Sequence, residues 1–167
     1  MKRTILLFLI VSILSVTGVV AQINQGTFLV GASSNLGFSS TSTEGSDNVN
    51  VFLLDLKGGY FVMDNLAVGL SLGYTKYSAG DFDGSSTTIG LFGRYYIHGK
   101  IFAGLGFSST DSNNSDSYNS VPFEFGYAAF VTDNIALEPS LSYSIGVGDN
   151  ESNTFGLNVG FTLYFNR

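Results

Sequence analysis

The chain has 167 residues, enough for one domain, with 7 basic against 13 acidic side chains and no cysteine. A formal charge of −6 opposes binding to nucleic acid phosphates, and a chain without cysteine has no disulfide framework. The sequence has 21 Gly, 15 Phe and 9 Tyr, no Trp, and only 12% charged residues, a mixture that suggests many short strands.

The first residues, MKRTILLFLIVSILSVTGVVAQ, have the layout of a secretory signal peptide. Lys2 and Arg3 form a positive start, Thr4 to Val16 an apolar stretch, and Val19-Val20-Ala21 a small-residue cleavage site. Ser12, Ser15, Thr17 and Gly18 leave that stretch too short to span a membrane comfortably. The expected organisation is a signal peptide over 1–21 and one domain over 22–167. Removing Lys2 and Arg3 from the 7 basic residues leaves 5 against 13 acidic, a charge of −8 for that domain.

Beyond the signal peptide the pattern has a period of two, which is that of strands. It predicts eight strands, at 27–38, 51–62, 66–77, 87–97, 101–109, 121–131, 135–146 and 154–165. The last is the clearest. Phe155, Leu157, Val159, Phe161, Leu163 and Phe165 alternate with residues that are mostly small or polar. Three connections are tight: Met63-Asp64-Asn65, His98-Gly99-Lys100 and Thr132-Asp133-Asn134. Four are longer and rich in Ser, Asn, Asp and Gly, as in STSTEGSDN and TDSNNSDSYN. Three-residue hairpins place Val62 opposite Leu66, Ile97 opposite Ile101 and Val131 opposite Ile135, all apolar. One step further out, Phe61 meets Ala67, Tyr96 meets Phe102 and Phe130 meets Ala136 on the other face. Alternation and register therefore agree at each turn.

Two nearly identical phrases, FVMDNLAV and FVTDNIAL, frame two of these turns. Asp64, Asn65, Asp133 and Asn134 suit tight turns, as does Gly99 in the third, because Asp and Asn bond nearby backbone and Asn tolerates left-handed backbone. They are read as hairpin joints and not as a metal or catalytic pair.

The less apolar face carries many glycines and five charges, Asp55, Lys57, Arg94, Glu124 and Glu138. A secreted soluble barrel would show Lys and Glu to water, whereas a membrane barrel turns its apolar face outward and fills its lumen with small and polar groups. The outer face also shows aromatic belts. Phe28, Tyr60, Tyr95 and Phe165 fall near the tight turns, and Phe38, Tyr74, Phe107, Phe123, Tyr143 and Phe155 near the long loops. The fold expected is all-β, an eight-stranded antiparallel up-and-down transmembrane barrel. Short turns on one side and long loops on the other put both termini in the periplasm. Eight strands leave room for little beyond side chains, so the five charges are expected to pair into a polar lumen network with Arg94 as its hub.

The phrases GYFVMDNLAVGLSLGY, GLFGRYYI and ALEPSLSYS, with a last strand ending in an aromatic residue, resemble the small outer-membrane β-barrel family, the OmpA/OmpX-like barrels. The resemblance covers essentially all of 22–167. It implies a Gram-negative outer membrane, contact with lipid and lipopolysaccharide, and a C-terminal aromatic, Phe165, read by the barrel assembly machinery. The peptidoglycan-binding domain found in some members is not expected within 22–167. Enzymes on this scaffold use a His near the outer leaflet. The one histidine, His98, is in a tight turn at the other end, so no Ser-His-acid arrangement is expected. No cofactor or metal is expected either, because the acidic loops lack the EF-hand spacing. The expected function is a structural or surface-interaction role with an extracellular ligand bound through the loops. A narrow low-conductance channel is the first alternative and a secreted soluble lipid-binding barrel the second.

Overall fold

A computed structural model describes residues 23–32, 37–41, 49–80, 82–113, 115–148 and 153–165. The signal peptide reading of 1–21 lies outside these residues, as do Asn166 and Arg167 and much of the acidic loops. The strands are β1 (Phe28–Ala32), β2 (Gly37–Thr41), β3 (Val49–Met63), β4 (Leu66–Ala79) and β5 (Phe82–Ile97). They continue as β6 (Ile101–Ser112), β7 (Ser115–Tyr127), β8 (Ala129–Thr132), β9 (Ile135–Val147) and β10 (Asn153–Phe165). Both β1 and β2 pair with β3, and both β7 and β8 pair with β9, so the ten segments make eight staves. Every pairing is antiparallel. β1 joins β10 on one side, Phe28 opposite Phe165, and β3 on the other, Phe28 opposite Tyr60, which closes the barrel.

The alternation read from the sequence becomes the inside and outside of this barrel. Along β10, Phe155, Leu157, Val159 and Phe161 are exposed outward, while Thr162 and Tyr164 are buried inward. Along β5, Ile89, Leu91 and Tyr95 point out, and Arg94 and Tyr96 are buried inside. Glycine on the inner face makes room for rings. A Cβ at Gly69 would lie 2.7 Å from the Phe92 ring, and one at Gly126 would strike the Phe102 ring.

Two expectations need correction. The strands run well past the predicted ends at the loop side. β5 begins at Phe82 instead of 87, β6 runs to Ser112 instead of 109, and β7 begins at Ser115 instead of 121. Most of TDSNNSDSYN is therefore ladder and not loop. Its Ser, Thr and Asn residues show no contrast between faces, yet they pair in register and bond across strands. Thr88 and Thr110 hydroxyls lie 2.8 Å apart, as do Ser108 and Ser120. The second correction concerns the twin turns. Met63, not Val62, stands opposite Leu66, and Thr132, not Val131, opposite Ile135, with a register shift just before each turn. These bulges shorten both turns to Asp-Asn alone. The pairs Ile97–Ile101, Phe61–Ala67, Tyr96–Phe102 and Phe130–Ala136 stand as the sequence places them.

Candidate functional site: the lumen network

The interior is stratified. At the tight-turn end it is filled by a floor of apolar side chains, with Ile23, Phe61, Tyr96, Phe102 and Tyr164 fully buried and Leu29 nearly so. Their rings touch in tilted or edge-on pairs, Phe61–Tyr96 and Tyr96–Phe102 at 5.5 Å and Tyr96–Tyr164 at 6.4 Å. Such geometries favour the positive edge of one ring against the negative face of another.

The charges sit directly on that floor. Arg94 on β5 donates from Nη1 to Glu138 Oε2 on β9 at 2.7 Å and from Nη2 to Glu124 Oε2 on β7 at 2.8 Å. Lys57 on β3 donates to the same Glu124 oxygen at 2.9 Å. Four of the eight staves are thus tied through one guanidinium, one ammonium and two carboxylates. The remaining carboxylate oxygens are also used. Ser140 donates to Glu124 Oε1 at 3.2 Å, and the Tyr164 hydroxyl donates to Glu138 Oε1. The Tyr96 hydroxyl accepts from Arg94 at 3.1 Å and lies 3.0 Å from the Tyr164 hydroxyl. One face of the guanidinium covers the Phe102 ring, its Cζ 4.2 Å from the centroid, a cation–π contact. Arg94 and Glu138 are each only 3% exposed. Charges so deep persist only when paired and hydrogen-bonded, and a planar guanidinium can serve two carboxylates at once.

Above the network the lumen opens into a cavity of about 240 Å³. Asp55 lines it, with Lys57, Ser71, Thr88, Ser108, Ser142 and Asn158. The structure therefore brings Lys57, Arg94, Glu124 and Glu138 into one bonded cluster and sets Asp55 in the wall of the same cavity.

Two members of the cluster, Tyr96 and Tyr164, were not among the candidate residues. Their signal was present, because both fall on the inner face by alternation and Tyr96 lies one step from a turn. A large aromatic residue on the small, polar face of a barrel is itself the sign of a filled lumen.

The turn residues lie at the floor end. Asn65 is left-handed, φ +63°, as are His98 at +51° and Gly99 at +66°; Asn134 is not. The carbonyl of the last residue in each turn accepts from the neighbouring stave, Asn65 from Tyr96 N–H at 2.8 Å and Asn134 from Tyr164 N–H at 2.8 Å. Lys100 accepts likewise from Ala128 N–H at 2.6 Å. The twin phrase thus seats the two tyrosines whose hydroxyls meet in the lumen. His98 is at this end, opposite the Ser-rich ends of the strands. Among the described residues no group of three or more His, Cys, Asp and Glu is placed to hold a metal ion. Phe165 projects outward at the same end, paired with Phe28, whose ring lies 4.9 Å from Tyr60.

No protein-family model matches the chain, and no curated protein matches it. Solved structures do. The N-terminal β-barrel domain of Pseudomonas aeruginosa OprF superposes with a TM-score of 0.54 at 16% identity, covering 86% of this chain and 100% of that one. The outer membrane protein OprG of the same organism gives 0.55 at 15% identity, covering 86% and 98%. The Yersinia pestis outer membrane protein Ail, solved in a phospholipid bilayer nanodisc, gives 0.51 at 16% identity, covering 84% and 100%. At these identities the likeness is one of fold. The fold is the closed eight-stranded antiparallel barrel that small outer-membrane proteins adopt.

Proposed function

We propose that this chain is an outer-membrane β-barrel protein of a Gram-negative bacterium, with a structural or surface-interaction role and a lumen closed by its own side chains. The observation that carries the reading is the inverted polarity of the barrel. Large apolar residues are exposed around the outside, up to Leu157 at 77%, while the charged network is buried inside. From Phe155 to Phe165 the outward band of β10 spans ten residue steps, about 34 Å along the strand. At the tilt of about 45° usual for such strands this is about 24 Å of height, close to the 25 Å band of outer-membrane barrels. A soluble lipid-carrying barrel needs the opposite polarity, with the apolar face lining the ligand.

The same features support an orientation with both termini in the periplasm. Residues 23–28 and Phe165 lie at the tight-turn end, which is the periplasmic end in barrels of this kind. The polar strand extensions of β4 to β7 then stand above the outer leaflet, near lipopolysaccharide and any extracellular ligand. Phe165, exposed on the outer face, is the residue we assign to the barrel assembly machinery. Surface segments on a rigid barrel are where recognition usually resides, which supports an adhesion-like role over chemistry.

A narrow channel is the competing role, because a cavity lined in part by polar side chains leads down to Arg94. The buried floor of Ile23, Phe61, Tyr96, Phe102 and Tyr164 argues for closure. Purified protein reconstituted in a planar bilayer is expected to show no steady unitary conductance. A reproducible ohmic step that scales with the number of inserted barrels would replace the closed-lumen reading with the channel.

A further inference from the structure

The two prolines of the chain, Pro122 in β7 and Pro139 in β9, both stand inside staves that have neighbours on both sides. Proline has no N–H for the ladder and is ordinarily confined to edges and bulges. Between β6 and β7 the consequence is visible. The Ala128 N–H donates to the Lys100 carbonyl, and bonded pairs recur at every second residue of an antiparallel ladder. Gly106 and Pro122 therefore fall at a bonded pair, where Pro122 has nothing to donate to the Gly106 carbonyl. The pairs Gly106–Pro122 and Phe107–Val121 are missing, although Leu105–Phe123 on one side and Ser108–Ser120 on the other keep one register. The gap is a lost bond and not a slip. Pro139 interrupts the next ladder in the same way, between Gly126–Ser140 and Ala129–Leu137.

The two gaps face different interiors. Beside Pro139, Ala128 and Glu138 are buried at the level of the charged network, and Pro139 has no share in the cavity wall. Pro122 and Gly106 both line the cavity. Outside, Leu105, Phe107 and Phe123 flank their gap and are exposed, at the aromatic belt near the long loops. In lipid every backbone polar group needs a partner within the protein, so a carbonyl without its ladder donor marks a weak line in the wall. At Pro122 that line separates the cavity from lipid. The cavity itself is two-sided. Phe92, Gly104, Gly106 and Pro122 line it on β5 to β7, and Asp55 and Lys57 of β3 and Asn158 of β10 line it across the barrel. Its volume of about 240 Å³ exceeds the roughly 150 Å³ that suffices for benzene. We propose that the β6–β7 seam at Pro122 is a lateral portal, and that the cavity behind it takes a small amphipathic molecule from the outer leaflet. The apolar chain rests on Phe92 and Pro122, and the polar head turns toward Lys57 and Asn158. This rests on the outer-membrane reading, and it gives a lumen closed to through-conduction a ligand of its own.

The test uses the full barrel in lipid nanodiscs and a medium-chain alcohol carrying a photoreactive diazirine, with labelled residues mapped by mass spectrometry. The portal predicts label on the inward Phe92 as well as on the outward apolar band. Pro122→Ala returns an N–H to the ladder and should slow Phe92 labelling about tenfold, the factor for one recovered hydrogen bond. Pro139→Ala should leave it unchanged. A second closure needs no new backbone donor. The sequence has no cysteine, and Leu105 and Phe123 form a closely spaced non-bonded pair, so Leu105→Cys with Phe123→Cys can bridge the seam. The oxidised form should label Phe92 more slowly than the reduced form by a similar factor. Label on the outward band with none in the lumen overturns the portal and leaves the membrane reading intact. Equal lumen labelling with the seam open, repaired and bridged means entry from the loop end, and also overturns it. Absence of label from the outward band itself overturns the membrane reading on which the portal depends.

Discussion

Arg94→Ala should destabilise the barrel by about 3–5 kcal/mol, the usual cost of removing one partner from a buried ion cluster. The deletion strands Glu138, which has no other cation in the network, and leaves Glu124 to Lys57 alone. It also uncovers the Phe102 ring, against which the guanidinium lies. Equilibrium urea unfolding of the refolded protein in detergent reads the effect directly. Arg94→Lys should recover only part of the loss, because an ammonium cannot serve two carboxylates with a planar fork. Replacing all three together, Arg94→Met with Glu124→Gln and Glu138→Gln, should cost less than Arg94→Ala, since no deeply buried charge is then left unpaired and Lys57, which loses Glu124, is 31% exposed. Unchanged unfolding of Arg94→Ala would mean that the cluster does not hold the staves together.

The second large effect is expected on the opposite face. Leu157 is the most exposed large apolar residue described, and it sits within the outward band of β10. On a soluble protein an exposed leucine can be replaced by arginine within about 0.5 kcal/mol either way. On the lipid face of a barrel the same change costs about 2–4 kcal/mol near the midplane. Leu157→Arg, measured by urea unfolding in lipid vesicles, should therefore lose several kcal/mol, while Asn158→Ser on the adjacent inward position should lose much less. A neutral Leu157→Arg would place that face in water.

How far the sequence revealed this fold depended on contrast between faces. β9 and β10 alternate large apolar with small or polar residues over their whole length, and their limits were legible to within a residue or two. The Ser-rich halves of β5, β6 and β7 carry polar groups on both faces, so period-two reading stopped where hydrophobicity stopped. The ladder does not stop there, because backbone hydrogen bonds need a partner strand and no apolar side chain. The bulges at the twin turns were invisible for a related reason. At the first turn Val62 and Met63 are both apolar, so a one-residue slip changes no letter of the pattern; at the second, Thr132 is β-branched like Val131 and suits a strand as well.

The site was legible in the same measure. Mid-strand charges on a face otherwise small were conspicuous, and Lys57, Arg94, Glu124 and Glu138 do share bonds across the lumen. Tyr96 and Tyr164 were hidden among many aromatics, most of which face outward. The seating of the segment before β1 was not legible at all. Residues 23–27 have neither alternation nor length, and only the fold shows that the Ile23 carbonyl and the Gln25 amide meet the first Asp-Asn turn.

The outer-membrane role requires the barrel to wear its apolar face in lipid. The most direct measurement is fractionation of cells expressing the full chain. Recovery in the outer-membrane fraction, released by detergent and not by high salt, is the result expected. Recovery as a soluble periplasmic or secreted protein without detergent would contradict it.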